Sequence, residues 1–301
     1  MKIIFFGTPK FAHTILSALY ENHEILAVVT QPDEKKDVYL PVKQFALAHN
    51  IKLFQPQKVK DIAETLKAIE PDLYITAAFG QFIPTTILKH RPSINVHASL
   101  LPTYRGAAPI QYAIKDGSKK TGITIMYMEK EMDAGNIIAA KEVMIENEDN
   151  TSSLTRKLAE VGAHVLLETL PQFENERPVG QIQDAQCVSF APKWTPHDER
   201  VHLEMNVNTF INYVRANADT PGATLKTKSL TMKIYQVKKN DIIQPGPIGY
   251  IHLSKHALSI SLKDGVIDIL EIQIPGKKRL SIKDFLNGQN LITDGMILKE
   301  I

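Results

Sequence analysis

The first half of the chain alternates short apolar runs with stretches in which apolar residues recur at helical spacing. The apolar runs that predict strands lie at residues 2–6, 25–30, 73–77 and 94–97. The helical spacing is found at residues 11–19, 42–49, 62–69 and 110–114. This alternation predicts an α/β fold with a mostly parallel sheet and helices on both of its faces. In such sheets ligands bind beyond the carboxyl ends of the strands.

The pattern changes in the second half of the chain. Apolar residues from Leu154 to Leu170 fall on one helical face, and Pro171 ends this longest predicted helix. A short helix is predicted at residues 207–214. After residue 223 brief apolar runs are separated by Gly and Pro, and they lie at residues 232–237, 249–253, 258–262 and 266–274. Short strands at this spacing predict a small β domain.

The length of the chain and its polar stretch near residue 190 predict two domains. With 301 residues the chain can bury two separate cores. We expect a catalytic domain at residues 1–188, a linker at 189–205 and a C-terminal β domain at 206–301. The composition, 44% hydrophobic and 23% charged, is typical of soluble globular proteins.

The sequence also favours a location in the cytoplasm. No apolar run approaches the ~18 residues needed to cross a bilayer. The first seven residues predict a strand rather than a secretory signal. The chain has a single cysteine, Cys187, which fits a reducing compartment.

Charge is distributed unevenly along the chain. From residue 206 onward there are 13 Lys and Arg against 8 Asp and Glu, whereas the preceding residues contain 22 against 25. The C-terminal part is therefore basic although the whole chain has a net charge of only +2. This distribution favours contact with a polyanion through the C-terminal domain.

The chemistry is concentrated around the predicted strand at residues 94–97. Asn95 and His97 lie two positions apart, so their side chains share one face of a strand. A loop rich in Pro and Gly follows, and Asp133 and Gly135 form an Asp-x-Gly turn further along. An Asn can donate a hydrogen bond to an oxyanion, a His can move a proton, and an Asp can orient the His. Together they predict transfer of an acyl-type group to an amine.

Two other kinds of site are disfavoured by the spacing of the residues. The turn after the first strand has one glycine, Gly7, where a dinucleotide-binding turn needs three. His197 and His202 are five positions apart, whereas a zinc-binding helix needs two His four apart with a Glu next to the first. We therefore expect neither a nucleotide cofactor nor a metal.

The chain resembles the folate-dependent formyltransferases over nearly its whole length. The segments that carry the resemblance are residues 5–12, 28–33, 77–84, 95–109, 122–128, 133–135 and 276–288. The resemblance implies a Rossmann-like catalytic domain and an OB-like C-terminal barrel. Matching the motifs residue by residue places the catalytic groups at Asn95, His97 and Asp133.

The resemblance also implies the formyl donor and its binding slot. The donor is 10-formyltetrahydrofolate, used as a co-substrate. One wall of the slot would be Phe79, Gly80, Gln81, Ile83 and Pro84, and the other would be Ser99, Leu100, Leu101 and Pro102. An amine would attack the formyl carbon directly, and Asn95 with His97 would stabilise the tetrahedral oxyanion. Asp133 would orient His97, and the proton would reach N10 of the folate directly or through water.

Members of the family differ in the amine that they formylate. The basic C-terminal part and residues 276–281 favour the α-amine of initiator methionyl-tRNA, which is used in translation initiation, over the alternative, a nucleotide-linked amino sugar. The expected tRNA contacts are Lys35, Lys36, Arg105, Lys277, Lys278 and Arg279. The loop after Asp33 is shorter than is usual in the family, and a folate-binding protein without turnover is a further alternative. We expect a monomer.

Overall fold

The computed structural model describes residues 1–33, 40–174, 176–288 and 291–300. By contacts between Cα atoms the chain divides into two compact units. The first unit comprises Met1–Pro109, Lys120–Met144 and Thr155–Lys193. The second unit comprises Ile110–Lys119, Ile145–Leu154 and Trp194–Ile301.

The elements up to residue 169 alternate between strands and helices, with two adjacent strands before the last helix. In chain order they are β1 (Lys2–Gly7), α1 (Lys10–Asn22), β2 (Glu24–Val29), α2 (Pro41–Ala48), β3 (Leu53–Phe54), α3 (Ala63–Lys67), β4 (Leu73–Ala77), α4 (Thr85–Leu88), β5 (Ser93–His97), α5 (Pro109–Lys115), β6 (Lys120–Tyr127), β7 (Ile137–Met144) and α6 (Thr151–Thr169). Short 3₁₀ turns lie at Val59–Ile62, Leu170–Phe173 and Ala185–Cys187.

The sheet of the first unit has the strand order β3-β2-β1-β4-β5-β6-β7. Strands β1 to β5 pair in parallel, whereas β5, β6 and β7 pair antiparallel. The prediction of a mostly parallel, Rossmann-like α/β sheet is therefore confirmed. The sequence did not predict the antiparallel hairpin, because β6 is almost entirely buried and lacks the polar alternation of a half-exposed strand.

Close packing at the turn between β1 and α1 requires the glycine at position 7. A Cβ built on Gly7 would lie 2.6 Å from Ala12 Cβ, so the strand and helix meet too closely there for any side chain. Phe6 at the end of β1 packs edge-on against Phe79, with ring centroids 5.4 Å apart. This contact fixes the start of the loop that follows β4 relative to the sheet.

The second unit contains the C-terminal elements. They are β8 (Arg200–Val201), α7 (Val207–Ala216), β9 (Ala223–Lys226), β10 (Thr231–Asn240), β11 (Ile251–Leu253), β12 (Leu258–Ser261), β13 (Val266–Gln273), β14 (Leu280–Ser281) and α8 (Ile282–Leu286). The sheet order is β11-β12-β13-β10-β9-β8, with β14 on β13. Phe210 and Val214 of α7 pack in its apolar core. The expected second, β-rich part of the chain is thus present.

None of the helices in the described ranges is long and apolar enough to cross a membrane.

Candidate active site

Strand β5 brings Asn95 and His97 to one point at its carboxyl end. Its neighbours hold it in register on both sides, with Asn95 opposite Thr76 of β4 and His97 opposite Thr124 of β6. Because the strand is paired along both edges, the positions of the two side chains are set by the sheet. Their shared face follows from the two-residue period of the strand.

Asp133 completes the cluster at the turn between β6 and β7. Its Oδ1 lies 3.4 Å from the Asn95 Nδ2 donor, and its Oδ2 lies 3.6 Å from His97 Nδ1. The side chains of His97 and Asp133 are only 6% and 12% exposed. Few water molecules can therefore compete for these groups, which strengthens their mutual electrostatic interaction.

The hydrogen bond made by Nε2 of the His97 ring indicates which of its two nitrogens carries the hydrogen. His97 Nε2 lies 2.9 Å from the carbonyl oxygen of Tyr104. A carbonyl oxygen only accepts, so Nε2 carries a hydrogen. Nδ1 is then the nitrogen that faces Asp133 and can take up a proton.

The carboxylate of Asp133 is also held from the loop after β5. The Gly106 amide donates to Asp133 Oδ2 at 2.8 Å. Gly106 has φ +123°, and a Cβ on it would lie 2.5 Å from the carbonyl oxygen of Ala191. Only glycine fits this close approach of two chain segments.

The loop from Ser99 to Pro102, expected to form one wall of the folate slot, is closed by short hydrogen bonds. Ser99 Oγ donates to the carbonyl oxygen of Thr103 at 2.6 Å. Thr124 Oγ1 donates to the carbonyl oxygen of Ser99 at 2.7 Å and accepts from the Leu101 amide at 3.1 Å. The peptide bond between Leu101 and Pro102 is cis. Leu100 is half-buried, whereas Ser99 and Leu101 are buried.

The other wall was expected at the loop from Phe79 to Pro84. Some residues of this loop are buried and others are exposed. Phe79 and Ile83 belong to the apolar core beside β1 and β4. Gly80 is exposed and has φ +80°, and Phe82 is exposed as well. Pro84 immediately precedes α4. The loop is thus anchored by two apolar side chains and presents the backbone near Gly80 to solvent.

Gln81 ties three chain segments together. Its Nε2 donates to Gln31 Oε1 at 3.0 Å and to the carbonyl oxygen of Pro56 at 3.1 Å, and its Oε1 accepts from the Val59 amide at 3.2 Å. Gln31 in turn donates to the carbonyl oxygen of Phe79 at 2.8 Å. The side chain of Gln81 therefore holds the loop in place instead of pointing freely into solvent.

Asp33 is the last described residue before the gap in this region. It accepts hydrogen bonds from Lys43 and from Gln55. The bond from Lys43, followed by that from Gln55, lowers the pKa of Asp33 below its ordinary value. Lys35 and Lys36, expected to contact tRNA, lie outside the described residues.

The other expected tRNA contacts lie in different surroundings. Arg105 is only 8% exposed, and its guanidinium binds Gln183. Lys277 and Lys278 are exposed. Arg279 forms a bidentate pair with Glu271, with its guanidinium 4.1 Å from the centroid of the Tyr235 ring.

Residues 181–191 contact the site although the sequence did not indicate it; the predicted domain boundary at residue 188 divides them between the catalytic domain and the linker. Gln183 donates to the carbonyl oxygens of Asp133 and Gly135, both at 2.8 Å. Ser189 Oγ accepts from the Tyr104 amide at 2.9 Å. The segment is polar and without regular periodicity, and hence nothing in its pattern indicated these contacts.

Comparison with known proteins agrees with this arrangement. The formyl transferase family model matches residues 1–170, and the model of the formyl transferase C-terminal domain matches residues 193–290. The methionyl-tRNA formyltransferase of Levilactobacillus brevis is 42% identical, over 99% of this chain and 98% of the relative. The chain belongs to the methionyl-tRNA formyltransferase family. Another member of the family, from Staphylococcus epidermidis, is 43% identical over 99% of both chains.

A solved structure of low sequence identity shares the fold. The chain resembles HypX from Aquifex aeolicus in complex with tetrahydrofolic acid, with a TM-score of 0.68 and 21% identity. The match covers 95% of this chain and 47% of HypX. At this identity the likeness extends to the fold alone.

Proposed function

We propose that the protein transfers the formyl group of 10-formyltetrahydrofolate to the α-amine of initiator methionyl-tRNA. The proposal rests on one observation: the side chains of Asn95, His97 and Asp133 lie close together at the end of β5. These are the groups that formyl transfer to an amine requires: an oxyanion donor, a proton carrier and a carboxylate. The relatives at about 42% identity carry the name of this activity.

The reaction begins with attack by the amine. A C–N bond forms at the formyl carbon, and the carbonyl oxygen becomes an oxyanion. The Asn95 amide donates to that oxyanion, a contribution worth ~10²–10³ in rate in other enzymes. Collapse of the tetrahedral intermediate then breaks the bond to N10 of the folate.

The proton lost by the amine has a path in the same cluster. His97 carries its first proton on Nε2, because that nitrogen bonds the Tyr104 carbonyl oxygen. Nδ1 is therefore the atom that accepts the amine proton, and the carboxylate of Asp133 stabilises the resulting imidazolium. The proton reaches the leaving N10 from this pair, directly or through a water molecule.

A buried hydroxyl beside the cluster supports binding of a polar substrate there. Thr76 is 6% exposed, and within the described ranges its Oγ1 has no hydrogen-bond partner. Its register neighbour on β5 is Asn95. Since buried polar groups are nearly always satisfied, this hydroxyl fits a site completed by a ligand or by water.

The two loops beside the cluster are proposed to hold the folate. Exposed backbone at Gly80 can bond the polar edge of the pterin, and half-buried Leu100 offers an apolar contact. Both loops are pre-formed by hydrogen bonds, through Gln81 in one and through Thr124 in the other. A rigid slot binds its ligand without a large ordering cost.

For the acceptor we propose that residues 206–301 bind the tRNA backbone. Lys277 and Lys278 are exposed cations, suited to phosphate contacts. Arg279 is proposed to exchange Glu271 for a phosphate on binding. Arg105 keeps its bonds to Gln183, and its Nη1, which contacts exposed Glu131, is the group proposed to reach the tRNA. The shortened loop with Lys35 and Lys36 is proposed as a further contact.

We also propose that the C-terminal sheet is an OB-like barrel closed by residues 296–300. The Ile251 amide donates to the Met296 carbonyl at 2.8 Å, and the Leu298 amide donates to the Gly249 carbonyl at 2.9 Å. On the other side, the Lys228 amide donates to the Lys299 carbonyl at 2.8 Å. The terminal segment thus bridges the ends of β11 and β9, which supports closure.

In the test, the purified protein and 10-formyltetrahydrofolate are incubated with charged initiator methionyl-tRNA or, separately, with a nucleotide-linked amino sugar. We expect formyl-methionyl-tRNA, abolished by His97→Ala but not by His164→Ala, which changes an exposed histidine. We also expect the rate at subsaturating tRNA to fall steeply with salt. Formylation of a nucleotide-linked amino sugar with no reaction of the tRNA would contradict the assigned acceptor. Folate binding without transfer to either would contradict the activity.

A further inference from the structure

Gln183 is a buried side chain in an otherwise exposed segment. It is 8% exposed, whereas its neighbour Ile182 is 79% exposed and Asp184 is exposed as well. An uncharged amide is buried only where its polar atoms find partners. Its position therefore depends on its hydrogen bonds and not on an apolar environment.

The amide of Gln183 uses all of its hydrogen-bonding capacity. Nε2 donates to the carbonyl oxygens of Asp133 and Gly135, both at 2.8 Å. Oε1 accepts from Arg105 Nη2 at 2.9 Å and from Arg105 Nε at 3.1 Å. A guanidinium only donates and a carbonyl oxygen only accepts, so the orientation of the amide is fixed.

The two carbonyl groups belong to the turn that presents the carboxylate of the site. Asp133 has φ +53°, in the left-handed region that is uncommon for a residue with a side chain. Such a conformation persists only where its surroundings hold it. The bonds from Gln183 hold the backbone of this turn at Asp133 and at Gly135, on both sides of Ala134.

Arg105 connects this anchor to the other support of Asp133. Its guanidinium orients Gln183, and the next residue, Gly106, donates its amide hydrogen to Asp133 Oδ2 at 2.8 Å. The backbone of Arg105 is itself fixed, because its amide donates to the Ser189 carbonyl at 2.9 Å and its carbonyl accepts from the Ala191 amide at 2.7 Å. The backbone and the carboxylate of Asp133 thus depend on one pair of adjacent residues.

We infer that Gln183 is a positioning residue for formyl transfer, which links the buried guanidinium of Arg105 to the left-handed turn and so holds Asp133 facing His97 and Asn95. The inference rests on the proposed function for its effect on catalysis. Gln183 touches neither substrate, so its replacement acts through the geometry of Asp133. A displacement of about 1 Å in such a group can cost on the order of 100-fold in rate.

Two substitutions distinguish the bonds that Gln183 accepts from Arg105 from the bonds that it donates to the turn. Gln183→Met keeps the approximate length of the side chain and removes all four hydrogen bonds. Gln183→Glu keeps an acceptor for Arg105 but replaces the donor with an oxygen that faces the carbonyl groups of Asp133 and Gly135. Gln186→Glu, at an exposed position in the same segment, makes the same charge change and serves as the control.

We expect kcat to fall at least about tenfold in both Gln183 variants, with KM for both substrates within about twofold of the parent value. The loss of kcat in Gln183→Glu should be as large at about pH 6 as at about pH 8, because the guanidinium of Arg105 keeps the introduced carboxyl group ionised, and an ionised carboxyl group has no hydrogen to donate to the two carbonyl groups. Gln186→Glu should match the parent at every pH. Parent-like kcat in Gln183→Met or in Gln183→Glu would overturn the inference.

Amide hydrogen exchange at Gly106 tests the same contact without any assay of transfer. The Gly106 amide hydrogen should exchange at least about tenfold faster in Gln183→Met than in the parent, because its acceptor on Asp133 is no longer held. Unchanged protection of this amide in Gln183→Met would overturn the inference. If the parent formylates no acceptor, the proposed function fails, while this exchange measurement still decides whether Gln183 positions Asp133.

Discussion

Asp133 accepts the Gly106 amide hydrogen at 2.8 Å through the same oxygen, Oδ2, that lies 3.6 Å from His97 Nδ1. The carboxylate is therefore oriented by a backbone group from the loop after β5 before any substrate binds. Such preorganisation lets a charged group act without rearrangement during the reaction. The position of Gly106 is in turn fixed by its close approach to Ala191.

Replacement of this glycine should displace the carboxylate. In Gly106→Ala the new Cβ would lie 2.5 Å from the Ala191 carbonyl oxygen, at φ +123°, so the loop must shift. We expect kcat for formyl transfer to fall about 10- to 100-fold. The control is Gly295→Ala, where φ is +76° but the nearest atom to the new Cβ is 3.6 Å away. A kcat for Gly106→Ala equal to that of the control would contradict the role assigned to this amide.

The hydrogen bonds of Gln81 lead to a prediction for folate binding. In Gln81→Glu a carboxylate oxygen would face Gln31 Oε1 and the carbonyl oxygen of Pro56, which now accept from Nε2. Removal of such a donor costs on the order of 1–3 kcal/mol, and we expect KM for 10-formyltetrahydrofolate to rise about tenfold with a smaller change in kcat. Steady-state kinetics with varied folate measure this.

The matched control for that experiment is Gln57→Glu. Gln57 is exposed, and the substitution makes the same change of charge in the same part of the first unit. We expect its KM for folate to equal that of the parent. Equal rises in both variants would mean that charge alone, and not the geometry of the loop, controls folate binding.

The exposed lysines of the second unit should govern the dependence of tRNA binding on salt. We expect the double substitution of Lys277→Ala with Lys278→Ala to raise KM for tRNA. The slope of log affinity against log salt concentration should become shallower by about 0.7–0.9 for each phosphate that the variant no longer neutralises. Lys255→Ala with Lys263→Ala changes the charge equally at two other exposed positions and should keep the parent slope. If both pairs weaken binding equally, the tRNA is held by diffuse charge and the assignment to Lys277 and Lys278 is wrong.

Three strands of the first sheet were the plainest to predict from the sequence. Strands β1, β4 and β5 are buried on both faces, and they stand out as continuous apolar runs between helical patterns. Strand β7 is partly exposed and lacks both a clear run and a strict alternation, so the antiparallel hairpin could not be predicted. The pattern of apolar residues along the chain also does not indicate which strands are neighbours in the sheet.

The residues that hold Asp133 in place were harder to predict than the reactive groups themselves. Asn95 and His97 are two positions apart on one strand, and that spacing alone places them on one face. Gln183 and Gly106 act through contacts with residues 50 and 27 positions away, respectively. Nothing in the composition around Gln183 distinguishes it from exposed Gln181 or Gln186. Contacts of this kind are visible only in the folded chain.

The groups at the end of β5 are proposed to carry out the transfer. The most direct measurement is the single-turnover rate of formyl transfer to methionyl-tRNA, with enzyme and folate in excess, for the parent and for Asn95→Ala. Both substrates should bind to the variant as they do to the parent, because the amide is needed at the transition state, and the rate should fall about 100- to 1000-fold. A rate within about threefold of the parent, with both substrates bound, would contradict the placement of the oxyanion at Asn95 and with it the proposed site.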